Sequence, residues 1–398
     1  MKYIELNDLI PGISMEYKNH IKRGIVMRKL LPLITAMALC SCSFIDDGNT
    51  KSVESVEYVE TKDSYKNYEA VLNEEHSGFT LPDSIDVVDT NELYVITLGY
   101  TNTEKSEDKL RENGELLIKG ICGESKDGGN IVTTENGDPF RYEYSDADIE
   151  CLYDLFDGYI IRTGSMPELD YCNINEVFTD STDEKTIELS GGNTTVKKCC
   201  DMIYDTLNNK LSDVKGGFEL LPKRICSYDS NGEKGLFVLN AFCFNKIPID
   251  YSLSPFLTED TKTLVYYLDA SSSVYITNDK SPDYINSVSR FVLKDKKKIE
   301  KMVSFEGAVD ILENELADNL YLEFDDAELI YTCIKTDETD GKKHDASSYI
   351  YDTTVTYEFE PTWCFYIKQD SKVENDLKHP STVRVNALTG EITVMLNK

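Results

Sequence analysis

The chain is 398 residues long and carries 41 Lys+Arg against 72 Asp+Glu, a formal net charge of −31. So negative an average field repels nucleic acid and anionic headgroups, which excludes nucleic acid as a partner and argues against broad contact with anionic lipid. Hydrophobic residues at 40% and aromatics at 10%, with 25 Tyr and 1 Trp, supply a sizeable core and exclude a chain disordered throughout.

The first informative stretch is Met27 to Ser43, "MRKLLPLITAMALCSCS". Arg28 and Lys29 form a positive start, Leu30 to Leu39 an apolar run, and Leu39-Cys40-Ser41-Cys42 a cleavage site, the three parts of a secretory signal. The run is about half of the roughly 20 residues that cross a bilayer, so a permanent transmembrane helix is not expected. Residues 27–41 are therefore read as a signal peptide. Lys22-Arg23-Gly24 can be encoded by a purine-rich ribosome-binding sequence just ahead of Met27, so residues 1–26 are read as translated leader DNA.

Leu39-Cys40-Ser41-Cys42 also resembles the bacterial lipobox, with Leu39 and Ser41 in the minus-three and minus-one places before Cys42. The resemblance implies that Cys42 is lipidated, with palmitate among its acyl chains, and that the body is anchored at the outer face of the cell membrane. Several acyl chains on one cysteine make release slow, whereas one alone binds only marginally.

From Cys42 to Tyr65 the chain is polar and acidic without sustained period, and is read as a flexible linker. Residues 66–165 read as a mixed α/β region. "ELYVITLGY" (92–100) is strand-like, Ser106 to Lys119 helical with Leu110, Leu116 and Leu117 on one side, and Asp146 to Phe156 a short helix through Ile149, Leu152 and Leu155.

Residues 166–300 and 301–398 read as two helix-sheet modules in the same order. In the first, Val196, Cys199, Cys200, Ile203, Leu207 and Leu211 make a helical stripe ahead of three strand-rich stretches. In the second, Ser304 is the predicted N-cap and Phe305, Ala308, Val309, Leu312 and Leu316 the stripe, again ahead of three strand-rich stretches. Val355, Tyr357 and Phe359 alternate with polar neighbours, Pro361 is expected to interrupt the ladder, and "VRVNALTGEITVM" reads as a hairpin turning at Thr389-Gly390. The expected fold class is α+β: repeated helix plus antiparallel-sheet modules, cystatin- or PepSY-like, with helices packed on one sheet face.

Pro361-Thr362-Trp363 on an aromatic strand, followed by Asn386-Ala387-Leu388-Thr389-Gly390-Glu391, resembles the closing part of PepSY-like and YycI/YycH-like extracytoplasmic modules. With its lipobox and acidic linker, the whole chain resembles uncharacterised lipoproteins of anaerobic Gram-positive bacteria. The resemblance implies modulation of an extracytoplasmic peptidase or of a membrane sensor.

Eleven cysteines are present, and the nine beyond the signal, scattered and lacking any C-x-x-C, argue for free thiols rather than a disulfide framework or a zinc ribbon. His76, His344 and His379 form no H-E-x-x-H, and G-x-S-x-G and the P-loop are absent. Ser106 to Lys109 and Ser212 to Lys215 match S-x-x-K without its companion motifs. Asp229-Ser230-Asn231-Gly232 and Lys126 to Asn130 read as turns rather than calcium loops. No catalytic residue, cofactor motif or metal ligand set is assigned, and Cys42 is the one site residue. The sequence points to a membrane-anchored, non-enzymatic binding or regulatory protein with a protein partner at the cell surface. A cell-wall hydrolase and a transporter's solute-binding lipoprotein stand as alternatives.

Overall fold

The computed structural model describes residues 57–100, 106–154, 158–164, 172–178, 180–214, 217–250, 256–257, 264–265, 271–287, 291–316, 321–337, 356–368 and 382–395. Two large sheets dominate. The ten-stranded sheet runs Asn130–Thr133, Pro139–Ser145, Glu150–Asp154, Gly158–Arg162, Tyr284–Ser287, Ser271–Ile276, Glu233–Phe244, Glu219–Ser230 and Cys172–Phe178, with Ile247–Pro248 beside Glu233–Phe244. The seven-stranded sheet runs Phe291–Lys298, Tyr94–Tyr100, Thr356–Ile367, Leu322–Asp337 and Phe79–Thr80, extended from Thr356–Ile367 by the hairpin Thr382–Asn386 and Ile392–Met395. Both belong to one compact unit, Val56–Lys398.

This corrects the expected architecture. The protein is mostly β, with four α-helices among the described residues (Tyr68–Leu72, Glu107–Cys122, Val196–Tyr204 and Phe305–Glu315), and it is not a series of α+β modules with helices laid on one sheet face. Strands from 130–162 share a sheet with strands from 172–287, and Tyr94–Tyr100 lies between Phe291–Lys298 and Thr356–Ile367. Hydrophobic period reveals an element's type but not its neighbour, so pairing over two hundred residues leaves no mark in local pattern.

The segment expected to be helical at 146–156 is an Asx turn leading into a strand. Asp146 Oδ1 accepts from the N–H groups of Asp148 at 2.8 Å and Ile149 at 2.9 Å, and Glu150–Asp154 then pairs on both sides. Ile149, Cys151 and Tyr153 are the buried hydrophobic residues, a period of two. The last residues of the expected linker are folded too: Tyr58–Glu60 pairs antiparallel with Lys301–Val303, and Ser64 and Tyr65 are buried.

Pro361 does not interrupt its strand. Thr356–Ile367 is continuous, but on one side it pairs with Tyr94–Tyr100 as far as Phe359 and with Thr382–Asn386 from Thr362 onward. The missing N–H thus falls where the strand exchanges one neighbour for the next, a position at which no ladder bond is lost.

Alternation along these long strands sorts the core. In the seven-stranded sheet, Ala327, Leu329 and Tyr331, Trp363 and Phe365, and Val383 and Val385 share one face by register. Trp363 is fully buried, donates its indole N–H to the Val303 carbonyl at 2.9 Å, and meets the rings of Tyr65 and Phe305 edge-on at 5.1 and 5.5 Å. Ser304 caps the helix behind Phe305 by accepting from Gly307 N–H at 3.0 Å.

Candidate functional site

The opposite face of the seven-stranded sheet is polar and meets the ten-stranded sheet. Glu328, Cys364 and Arg384 are direct register partners on three adjacent strands, so their side chains stand in one row. Two ion pairs close over this row from the other sheet. Lys223 on Glu219–Ser230 places Nζ 2.5 Å from Glu328 Oε2, and Glu328 Oε1 accepts from the Tyr366 hydroxyl at 2.6 Å. Arg384 Nη1 and Nη2 donate to the two oxygens of Asp250 at 2.6 and 3.2 Å, with side-chain exposures of 5% and 3%.

Asp250 reaches this position because of a hairpin. Glu233–Phe244 turns through Asn245 and Lys246, both at positive φ (50° and 66°) as a type I′ turn requires, into Ile247–Pro248. The chain then crosses to the other sheet, where Ile249 bridges Tyr331 and Asp250 N–H donates to the Tyr331 carbonyl at 2.8 Å.

Electrostatically the row is a set of matched charges. Burial alone would lower the Lys223 ammonium, but the charge and hydrogen bond of Glu328 carry it well above its ordinary value. Burial opposes the Arg384 charge in the same way, and Asp250 more than restores it. Two buried thiols near these charges, Cys364 in the row and Cys243 on Glu233–Phe244 of the other sheet, go the other way. Burial pushes Cys243 and Cys364 up to about 12, against the pull of Lys223 and Arg384 respectively. Thiols so raised are poor nucleophiles, so the row works as a lock between sheets rather than as thiol chemistry. Asp326, one pleat from Glu328, is raised to about 6 by desolvation of its carboxylate and then by the Glu328 charge, although its exposure lets solvent moderate the rise.

A second polar row crosses the ten-stranded sheet. Asn240, Ser272, Ser287, Tyr159, Tyr153 and Tyr142 are successive register partners on six strands, and all are buried. Asn113 from Glu107–Cys122 donates to the Tyr153 hydroxyl at 2.9 Å, whereas Asn240 Oδ1, Ser272 Oγ and the Tyr142 hydroxyl have no hydrogen-bond partner among the described residues. Gly114 lets that helix sit directly on Tyr142, because a Cβ there would lie 2.0 Å from its ring.

A third feature lies on the surface. Phe291–Lys298 is an edge of the seven-stranded sheet, and Lys294, Lys296, Lys297 and Lys298 are all exposed. Elsewhere, Asp108, Arg111, Glu112, Glu115 and Lys119 line an open depression of about 270 Å3 on the helix Glu107–Cys122.

Cys42, the site residue expected from sequence, lies outside the described residues, as do His344 and His379. His76 is described: its Nδ1 lies 2.9 Å from Glu313 Oε1, its Nε2 lies 2.8 Å from the Val71 carbonyl, and its ring stacks on Phe79. Asp229 serves its turn, accepting from Gly232 N–H at 2.9 Å. The eight described cysteines with placed side chains are free thiols. Sequence reasoning missed both ion pairs, whose members lie 105 and 134 residues apart.

No family model matches the chain, and no curated protein matches it. Among solved structures the chain is similar to an uncharacterized protein from Eubacterium rectale, at 13% identity and a TM-score of 0.49, over 83% of this chain and 98% of that one.

Proposed function

We propose that the chain is an exported lipoprotein, anchored through Cys42 at the outer face of the cell membrane, whose folded body is a non-enzymatic binding or regulatory module. One observation carries the reading: the positive start, short apolar run and Leu39-Cys40-Ser41-Cys42 cleavage site follow one another in the order and lengths that export and lipidation need. The chain from Cys42 to Glu57, where the described fold begins, spans at most about 50 Å when extended, enough to hold the body beside the bilayer. The locked sheets suit a rigid module that presents its surface to a partner such as a peptidase or a membrane sensor.

Growth on radiolabelled palmitate tests the anchor. Label on the wild-type chain that disappears in Cys42→Ala, with the wild type in the membrane fraction, supports it. An unlabelled chain recovered from cytosol sinks it. Peptides from residues 1–26 in the protein isolated from cells would refute the start at Met27.

A further inference from the structure

We infer that the lysine-bearing edge strand Phe291–Lys298 is a contact surface for anionic lipid headgroups, and that it turns this edge of the body toward the bilayer. The inference rests on the anchored reading above for its biological setting, but not for its test.

The first observation is charge placement. In a chain with 72 acidic residues, Lys294, Lys296, Lys297, Lys298 and Lys301 fall within eight positions, interrupted by Asp295 and Glu300. All five lysines are exposed, and none forms an ion pair with another described residue. The Asp295 carboxylate is turned back onto the backbone, accepting from Lys296 N–H at 2.8 Å. The Lys296 ammonium rides 4.6 Å above the Tyr94 ring and 5.7 Å from the Phe244 ring, contacts that hold its charge without neutralising it.

The second is location. The strand ends at Lys298, and three residues later Lys301 pairs with Glu60, in the segment by which the chain enters the described fold. Three residues span at most about 11 Å, so the basic edge and the point where the proposed leash joins the body are neighbours. Lys62, also exposed, follows directly on Thr61, whose N–H donates to the Glu300 carbonyl at 3.1 Å. A body held by its leash presents this edge to the bilayer before any other.

The third is the form of the edge. Among the described residues no strand pairs with its outer side. Lysines on an open edge discourage addition of a peptide strand, because each extended partner must approach through ammonium groups. A headgroup layer needs no backbone pairing and can gather around long, mobile side chains. Net charge does not prevent this: at physiological salt the screening length is about 8 Å, so acids on the far side of the body contribute little to the energy at the bilayer. The averaged field that argues against lipid contact for the whole chain therefore does not apply at this edge.

The test uses the full chain carrying Cys42→Ser, so that no acyl group contributes, floated with vesicles of phosphatidylglycerol and phosphatidylcholine or of phosphatidylcholine alone. The expected result is flotation with the anionic vesicles only, abolished by high salt. The variant K294Q/K296Q/K297Q/K298Q, with native Trp363 fluorescence as the folding control, should bind at least about tenfold more weakly, since a lysine near an anionic surface contributes about fivefold. Absence of flotation, equal flotation with neutral vesicles, or full binding by the quadruple variant would overturn the inference. So would capture of soluble polyphosphate without vesicle binding, and so would a quadruple variant that self-associates while vesicle binding is unchanged, which would leave the lysines as a guard against strand pairing. Palmitate labelling of the wild type is scored separately, so an unlabelled chain whose Cys42→Ser form still floats would remove the anchor and keep this surface.

Discussion

The Asp250–Arg384 pair offers the sharpest energetic prediction. In Asp250→Ala the Arg384 guanidinium loses both of its bonds to the carboxylate while staying in a site where the two side chains are only 3% and 5% exposed. Removing one partner of a buried pair costs about 3–5 kcal/mol, because the remaining charge keeps its desolvation penalty and loses its compensation. For a body of this size that corresponds to a fall in Tm of roughly 4–7 °C. Replacing both partners, as in Asp250→Leu/Arg384→Met, removes the penalty together with the attraction and should recover most of the loss. The assay is denaturant unfolding followed by fluorescence of Trp363, the one tryptophan, which sits next to Cys364 on the strand that pairs with Arg384. A single substitution costing below about 1 kcal/mol, as at an exposed pair, would refute the reasoning. A double variant as unstable as Asp250→Ala would refute it equally.

The Asp326 carboxyl is raised to about 6, so the folded state holds its proton more tightly than the unfolded state does, and this contribution, present below about pH 4, is lost as pH rises through 6. Asp326→Asn should flatten thermal stability between pH 4 and 7 and raise it at pH 7 by about 1 kcal/mol or less, since the site is exposed. Gly114→Ala should lower Tm despite alanine's helix preference of about 1 kcal/mol, because the new Cβ would lie 2.0 Å from the Tyr142 ring and overpacking costs about 1–3 kcal/mol. Ser272→Ala should be neutral or stabilising in a thermal melt, since it deletes a buried hydroxyl that has no partner among the described residues; a loss above about 1 kcal/mol would show that ordered water pairs it. Alkylation mapped by mass spectrometry should modify exposed Cys122 in the native protein and reach Cys151, Cys243 and Cys364, all buried and raised to about 12, only after unfolding.

Much of the local structure is legible in the sequence because it is governed by neighbours in the chain. Ser304 caps its helix as expected, the stripe from Val196 becomes Val196–Tyr204 continued by a π-helical turn, and Thr382–Asn386 closes with Ile392–Met395 around Gly390 at φ 74°. The π-turn could not be foreseen from the stripe. It is fixed from outside, by Asn208 exchanging two 2.8 Å hydrogen bonds with the backbone of Leu220. The helix expected at 146–156 failed for a related reason. Ile149, Leu152 and Leu155 satisfy a helical period, but Ile149, Cys151 and Tyr153 satisfy a strand period as well, and two flanking strands decided between them.

The same division explains why the interior of the candidate site was hidden. Lys223, Asp250, Glu328 and Arg384 look like ordinary members of an acidic, soluble exterior until register places Glu328 and Arg384 on one face and the turn at Asn245-Lys246 delivers Asp250 to it. Position in a sheet, not residue type, converts them from solvated charges into a lock. The lysines at 294–298 are adjacent in the chain, so their density could be read directly. What could not be read is that the strand carrying them lies at an edge and runs toward the segment paired with Tyr58–Glu60. A count of −31 averages over both situations, and electrostatic free energy does not: within a screening length of about 8 Å, the four lysines of one edge strand count for more than acids on the far side of the body.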